Sequence, residues 1–282
     1  MVSLIAAAAL TIVLLIVGVR FIEPRFAFFP TAGETTTPAE FGAPFEASTV
    51  DTRDGEHLRV WILRQAQPRA TIVYFHGNGG NLSIWAPILA GIHRRGFTIF
   101  AFDYRGYGAS TGRPTERGLY RDVDAIVDRA WRDHTGREPI VYWGRSLGAT
   151  MAAYAATVHA PAAIILESGF PDARSLVRSL PPLAFLSLFS TYRFPTADLM
   201  RGLIMPALVM HGDADTVIPY DLGRQLFDRV GGPKRFITLR GADHNDVSPP
   251  DPREYWKAVD EFVAAAHLAE NASSTLPGSP RH

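Results

Sequence analysis

Apolar runs recur along the chain, and two periods account for them. Short runs at Thr71–Phe75, Phe97–Phe102, Ile140–Trp143, Ala163–Leu166, Ala207–Met210 and Arg235–Leu239 are rich in β-branched and aromatic residues, and each reads as a buried strand. Between them lie stretches with helical spacing. The clearest carries Leu119, Val123, Ile126, Val127, Ala130 and Trp131 at i, i+4, i+7, i+8, i+11 and i+12. The last carries Tyr255, Trp256, Val259, Phe262, Val263 and Ala266. Strands alternating with helices predict βαβ crossovers, and hence an α/β fold with a mostly parallel central sheet and helices on both faces. Phe45–Val50 and Leu58–Leu63 flank the turn dipeptide Asp54-Gly55, which predicts an antiparallel hairpin at the start of the sheet.

Three stretches depart from this rhythm. Residues 1–19 carry no charged side chain, and Leu4 to Val19 is almost continuously Ala, Leu, Ile and Val, about the length that crosses a hydrocarbon core. We therefore expect a transmembrane anchor over residues 1–20. A cleaved secretory leader is the rival, but the positive n-region and a small-x-small cleavage site are missing. A buried core helix is the third reading. Arg20 and Arg25 follow the span, so the positive-inside rule puts the body of the protein on the cytoplasmic side. Residues 21–44, rich in Pro, Thr, Phe and Gly, read as a connector on the edge of a domain spanning 45–269. The second departure is Gly169 to Arg201, whose apolar residues follow no single period around Pro181-Pro182. It reads as a short cap over about 170–200 that would wall an acyl pocket. The third is 270–282, small, polar and Pro-containing, which reads as a disordered tail.

Composition narrows the chemistry. Lys plus Arg and Asp plus Glu are equal at 28 each, which leaves no basic footprint for nucleic acid. The absence of cysteine excludes disulfides, thiolate nucleophiles and Cys-based zinc sites. The nine histidines form no H-E-x-x-H pattern, so neither a metal nor another cofactor is expected.

Gly144-Arg145-Ser146-Leu147-Gly148 follows the strand at Ile140–Trp143 and precedes the helix-forming run Met151–Ala156. A G-x-S-x-G pentapeptide between strand and helix reads as a nucleophile elbow, with the serine hydroxyl lifted from a sharp turn. The flanking glycines fit a turn too tight for a Cβ. Such a serine needs a base and a carboxylate to hold that base. His244 follows the strand at Arg235–Leu239, and Asp215 follows the one at Ala207–Met210. The order Ser146, Asp215, His244 is that of a nucleophile-elbow hydrolase. Asp213 is a rival for the acid, although it suits a turn cap better, and Glu167 at another strand end is a second. His76-Gly77-Asn78-Gly79-Gly80-Asn81 follows the strand at Thr71–Phe75 and supplies Gly-rich backbone for an oxyanion, through the amides of Asn78 and Leu147. A phosphate-cradling loop would need G-K-[ST] or G-x-G-x-x-G, and neither is there. His76 reads as a brace for this loop.

The His76–Asn81 box, Asp103-Tyr104-Arg105-Gly106-Tyr107-Gly108-Ala109-Ser110, the elbow, the acid loop Gly212–Pro219 and His244-Asn245-Asp246 together resemble the α/β-hydrolase superfamily. Within it they resemble small membrane-anchored serine hydrolases related to serine aminopeptidases and depalmitoylating thioesterases. The resemblance runs from about Phe45 to about Ala266. It implies Ser146, Asp215 and His244 as a triad, Asn78 and Leu147 as oxyanion amides, and structural roles for Asp103 and Arg105. Eukaryotic depalmitoylases of this type are tethered through acylated cysteines, and in this chain the first 19 residues would have to take that part. The expected activity is ester or thioester hydrolysis on a small-molecule or lipid-like substrate. A serine peptidase acting on short peptides is the alternative within enzymes, and a catalytically idle binding protein the alternative outside them.

Overall fold

The computed structural model describes residues 2–180, 190–246 and 252–274. Among these residues, eight strands form one sheet: β2 (Glu46–Asp51), β3 (His57–Leu63), β4 (Thr71–Phe75), β6 (Thr98–Phe102), β7 (Ile140–Arg145), β8 (Ala163–Glu167), β9 (Ala207–Gly212) and β10 (Lys234–Leu239). Their order across the sheet is β10-β9-β8-β7-β4-β6-β3-β2. Only β3 runs opposite to the other strands of the sheet, pairing antiparallel with β2 and β6; the hairpin predicted around Asp54-Gly55 is the β2–β3 pair. A second, two-stranded pairing joins β1 (Phe29–Pro30) to β5 (Gly79–Gly80) in parallel.

The central strands are apolar on both faces because both faces are covered. Alternate residues of β4 divide between two cores: Val73 and Phe75 pack under α3 (Glu116–Asp133), α4 (Leu147–Val158) and α7 (Tyr220–Arg229), while Ile72 and Tyr74 pack under α2 (Leu82–Arg94) and α8 (Pro252–Ser274). The stripe read from Leu119 to Ala130 is the buried face of α3. Helix α4 is buried on nearly all sides, and its alanines let it lie close on the strands beneath.

Helix α1 (Val2–Ala27) contains the one span, Ile5–Arg25, that is long and apolar enough to cross a membrane among the described residues, with a mean hydropathy of 2.6. Ile5, Leu10, Ile12, Val13, Leu14, Ile16 and Val17 are exposed. The helix runs beyond the expected anchor of residues 1–20, to Ala27. Pro24 lies inside it, where its ring leaves one intrahelical hydrogen bond unmade, and the helix runs on for three more residues. The stretch beyond, read as a connector on the domain edge, is held there by hydrogen bonds. Thr31 N–H donates to Gly80 O at 2.9 Å, Gly33 N–H to Gly108 O at 2.8 Å, and Asn81 Nδ2 to Gly33 O at 2.6 Å. Residues 29–33 thus hold the Gly-rich loop from outside.

Two further boundaries shift. Of the expected cap, α5 (Ala173–Arg178) and residues 190–194 are described, and 181–189, including Pro181-Pro182, lie outside the described residues. Helix α6 (Thr196–Arg201) buries Ala197 and Met200 in the core with α4 and α7, and so belongs to the layer on the sheet. Helix α8 runs through Ser274, into the stretch expected to be a tail; 275–282 lie outside the described residues.

Candidate active site

Ser146 stands between the last residue of β7 and the first of α4, with φ 55° and ψ −119°. A non-glycine residue in this region costs about 1–3 kcal/mol and persists only where its surroundings dictate it. They do so here. A Cβ on Gly144 would lie 2.1 Å from Gly148 O, one on Gly148 would lie 2.0 Å from Phe75 O, and Ser146 N–H donates to Glu167 O at 2.8 Å. The turn packs backbone against backbone, so both flanking glycines are sterically required.

Three strand ends then converge. His244, in the loop after β10, sets its Nε2 3.1 Å from Ser146 Oγ and its Nδ1 2.8 Å from Asp215 Oδ2. With Nδ1–H donating to the carboxylate, Nε2 holds a lone pair toward the serine hydroxyl, as a general base requires. Asp215 Oδ1 accepts from the N–H groups of Val217 at 3.0 Å and Ile218 at 2.7 Å. Burial pushes the Asp215 carboxyl up, but hydrogen bonds from His211 and His244 outweigh it and hold the group well below the usual carboxylate range. The rival acids lie elsewhere: Asp213 Oδ1 accepts from Gly241 N–H at 2.6 Å, and Glu167 faces Arg145, Trp143 and Tyr255.

Opposite the imidazole lies the loop after β4. Tyr107 OH donates to the main-chain and side-chain oxygens of Asn78 at 3.0 and 2.9 Å, pinning that residue. A Cβ on Gly77 would be 3.5 Å from the Cβ of Ser146, so the loop backbone runs beside that serine. Leu147 is the first residue of α4, and its N–H has no acceptor within the helix. Asn78 and Leu147 both line the cavity that Ser146 borders. His76 is fully buried; its Nδ1 donates to Gly77 O at 2.7 Å, and burial pushes its pKa down to about 4. It is a neutral brace. Asp103 Oδ1 accepts from Leu82 N–H, and Arg105 joins Asp122 and Asp54, so both act on the frame.

Ser146 opens into a cavity of about 730 Å³ walled by Trp85, Phe170, Leu176, Tyr192 and Ile218. That volume takes a drug-sized or acyl-chain ligand. Glu23 and Ala27, from the last turn of α1, also line it. The Glu23 carboxylate accepts from Thr191 N–H at 2.9 Å, Tyr192 N–H at 3.3 Å and the hydroxyls of Ser190 and Thr191, fastening the cavity wall to α1.

Sequence reasoning missed Glu23, His211 and Arg145. A lone carboxylate among apolar residues just before Pro24 was the available signal for the first. For His211, it was a histidine at the end of a strand beside the acid loop.

This fold and this arrangement of strand ends define the class. The profile described as alpha/beta hydrolase fold matches residues 70–185, and the chain belongs to that family. It is 34% identical over 224 residues to human alpha/beta hydrolase domain-containing protein 17B, covering 76% of this chain and 73% of that one. The uncharacterized protein YfhR of Salmonella typhimurium is 32% identical over 256 residues, covering 83% of this chain and 85% of YfhR. Among solved structures, the Pyrococcus furiosus esterase PF2001 superposes with a TM-score of 0.70 at 20% identity, over 85% of this chain and 97% of the esterase.

Proposed function

We propose that this protein is a serine hydrolase that cleaves carboxylic esters or thioesters through an acyl-enzyme, tethered to a membrane by α1. The observation that carries the proposal is the imidazole of His244, 3.1 Å from Ser146 Oγ on one side and 2.8 Å from Asp215 on the other. Ser146 Oγ attacks the carbonyl carbon while its proton passes to His244 Nε2. The tetrahedral oxyanion accepts hydrogen bonds from the N–H groups of Asn78 and Leu147. Collapse expels the alcohol or thiol, which takes the proton from Nε2. Water, deprotonated by the same nitrogen, then releases the acid and restores Ser146.

The apolar cavity favours an acyl chain, and the esterase named among the structural neighbours is consistent with that. A peptidase taking free N-termini would need a carboxylate open to an ammonium group. Glu23 lines the cavity, but its oxygens are already engaged by residues 190–192. In domain terms, α1 is the anchor, the stretch to about residue 44 a brace for the oxyanion loop, and about 45–269 the catalytic unit, facing the cytoplasm by the arginines that follow the span.

Nitrophenyl esters of graded chain length, assayed beside aminoacyl amides with Ser146→Ala as control, test the reading. Ester turnover that Ser146→Ala abolishes is expected. Turnover confined to the amides would favour a peptidase, and none on either series would favour a binding protein.

A further inference from the structure

Arg145, the residue before the nucleophile, is buried, yet it carries a charge to a place where the chemistry just described does not use one. Its Nη2 donates to His244 O at 2.7 Å and to Asp246 O at 2.9 Å. Nη1 lies 3.3 Å from Glu167 Oε1, and the guanidinium sits over the Trp85 ring at 5.3 Å. The other oxygen of Glu167 accepts from Trp143 Nε1 at 3.1 Å and from Tyr255 OH at 3.0 Å. A buried cation is retained only when its charge and its donors are both answered, and here Glu167 answers the charge. The donors are spent on the main chain of the histidine loop.

That loop needs a hold. Behind it lies a separate cavity of about 230 Å³, bordered by Ala242, Asp243 and Asp246 on the loop side and by Arg145, Glu167 and Trp256 on the other. Among the described residues, side chains do not fill the back of the loop, so its distance from Ser146 draws on polar tethers. Asp213 supplies one, at Gly241 N–H. Arg145 supplies two, on the carbonyl of the histidine itself and on that of the residue two further along. Because Arg145 and Ser146 are consecutive, the tether also ties the base to the backbone of its own nucleophile.

We infer that Arg145 is a positioning residue of the hydrolytic reaction: it locks the loop bearing His244 at reacting distance from Ser146, with Glu167 as its charge partner. The inference rests on the proposed role of Ser146 and His244. A guanidinium suits the task, because Nη2 spends its N–H groups on the two carbonyls while Nη1 stays on Glu167, a division that the single nitrogen of an ammonium does not reproduce.

The test is steady-state kinetics of the full-length protein on a short nitrophenyl ester, with circular dichroism to establish folding. Arg145→Met should lower kcat about 100-fold, the scale of a 1 Å misplacement, with KM within about threefold. Arg145→Met combined with Glu167→Gln should leave kcat low, because removing the unpaired carboxylate does not restore the two tethers. Arg145→Lys should lose about tenfold in kcat with KM little changed. Folded Arg145→Met with kcat within threefold of wild type overturns the inference, as does full recovery of kcat in the double variant, which would make the role one of charge balance. If Arg145→Met does not fold, Arg145→Lys decides: wild-type kcat in that variant contradicts a two-carbonyl lock. Failure of the underlying reading looks different, because Ser146→Ala would then keep its turnover whatever Arg145 does.

Discussion

His211 and His244 converge on the same oxygen of Asp215, at 3.3 and 2.8 Å. The first ring is fully buried, with Nε2 also 2.9 Å from Ile218 O and Gly223 packed against its other nitrogen. It presents a fixed N–H dipole, so Asp215 stays ionised when burial alone would favour the acid.

Replacing the carboxylates one at a time should rank them. Asp215→Asn should lower kcat/KM on the order of 10⁴-fold, because the amide no longer enforces the tautomer of His244. Asp213→Asn and Glu167→Gln should cost far less. His211→Met should lose roughly tenfold, the worth of a hydrogen bond to a charged group, while His211→Gln keeps a donor and most of the rate. A different order would move the acid to whichever residue proved sensitive.

The elbow makes a steric prediction. Since a Cβ on Gly148 would meet the Phe75 carbonyl at 2.0 Å, Gly148→Ala should destabilise the fold by about 3 kcal/mol. Chemical denaturation reads this directly. A wild-type midpoint would mean that the turn relaxes more easily than its contacts imply.

Much of this was legible in the sequence, for a physical reason. Strands buried on both faces read as unbroken apolar runs, so β4, β7, β8 and β9 were found to within two residues. Ser146, Asp215 and His244 each sit in a short motif at a strand end, where a parallel sheet gathers chemistry. Arg145 was in plain view without a role, because its acceptors are backbone carbonyls 99 and 101 residues away, and a carbonyl has no letter in the sequence. The last turns of α1 were not legible because the apolar run stops at Arg20, whereas Glu23 finds its partners 167–169 residues further on.

Membrane attachment and catalysis should separate at residue 20 but not beyond Glu23. Full-length protein should resist carbonate extraction, and a form lacking 1–20 should be soluble with a similar kcat/KM on a short ester. Glu23→Gln leaves fewer acceptors for residues 190–192, so kcat/KM on long-chain esters should fall about tenfold while short esters are little affected. Equal losses on both would mean that the wall does not contact the acyl chain.

Stability should carry the signature of a buried acid. Burial pushes the Asp103 carboxyl up to about 7, against the opposing Leu82 amide. The folded protein therefore holds this proton more tightly than the unfolded chain, whose carboxyl titrates near 3.9. The resulting stability is fully present below about pH 4 and is lost as pH rises through about 7. Between about pH 5 and pH 8, Tm should drop further in wild type than in Asp103→Asn, which cannot titrate. Parallel curves would place the Asp103 proton elsewhere.

The central claim is that Ser146 is a nucleophile activated by His244. A fluorophosphonate probe, followed by peptide mass spectrometry, tests it most directly. Wild-type protein should carry one phosphonyl group on Ser146, Ser146→Ala none, and His244→Ala should label slower by several orders of magnitude. Well-folded wild-type protein that stays unlabelled, or that carries the group on another residue, would contradict the account.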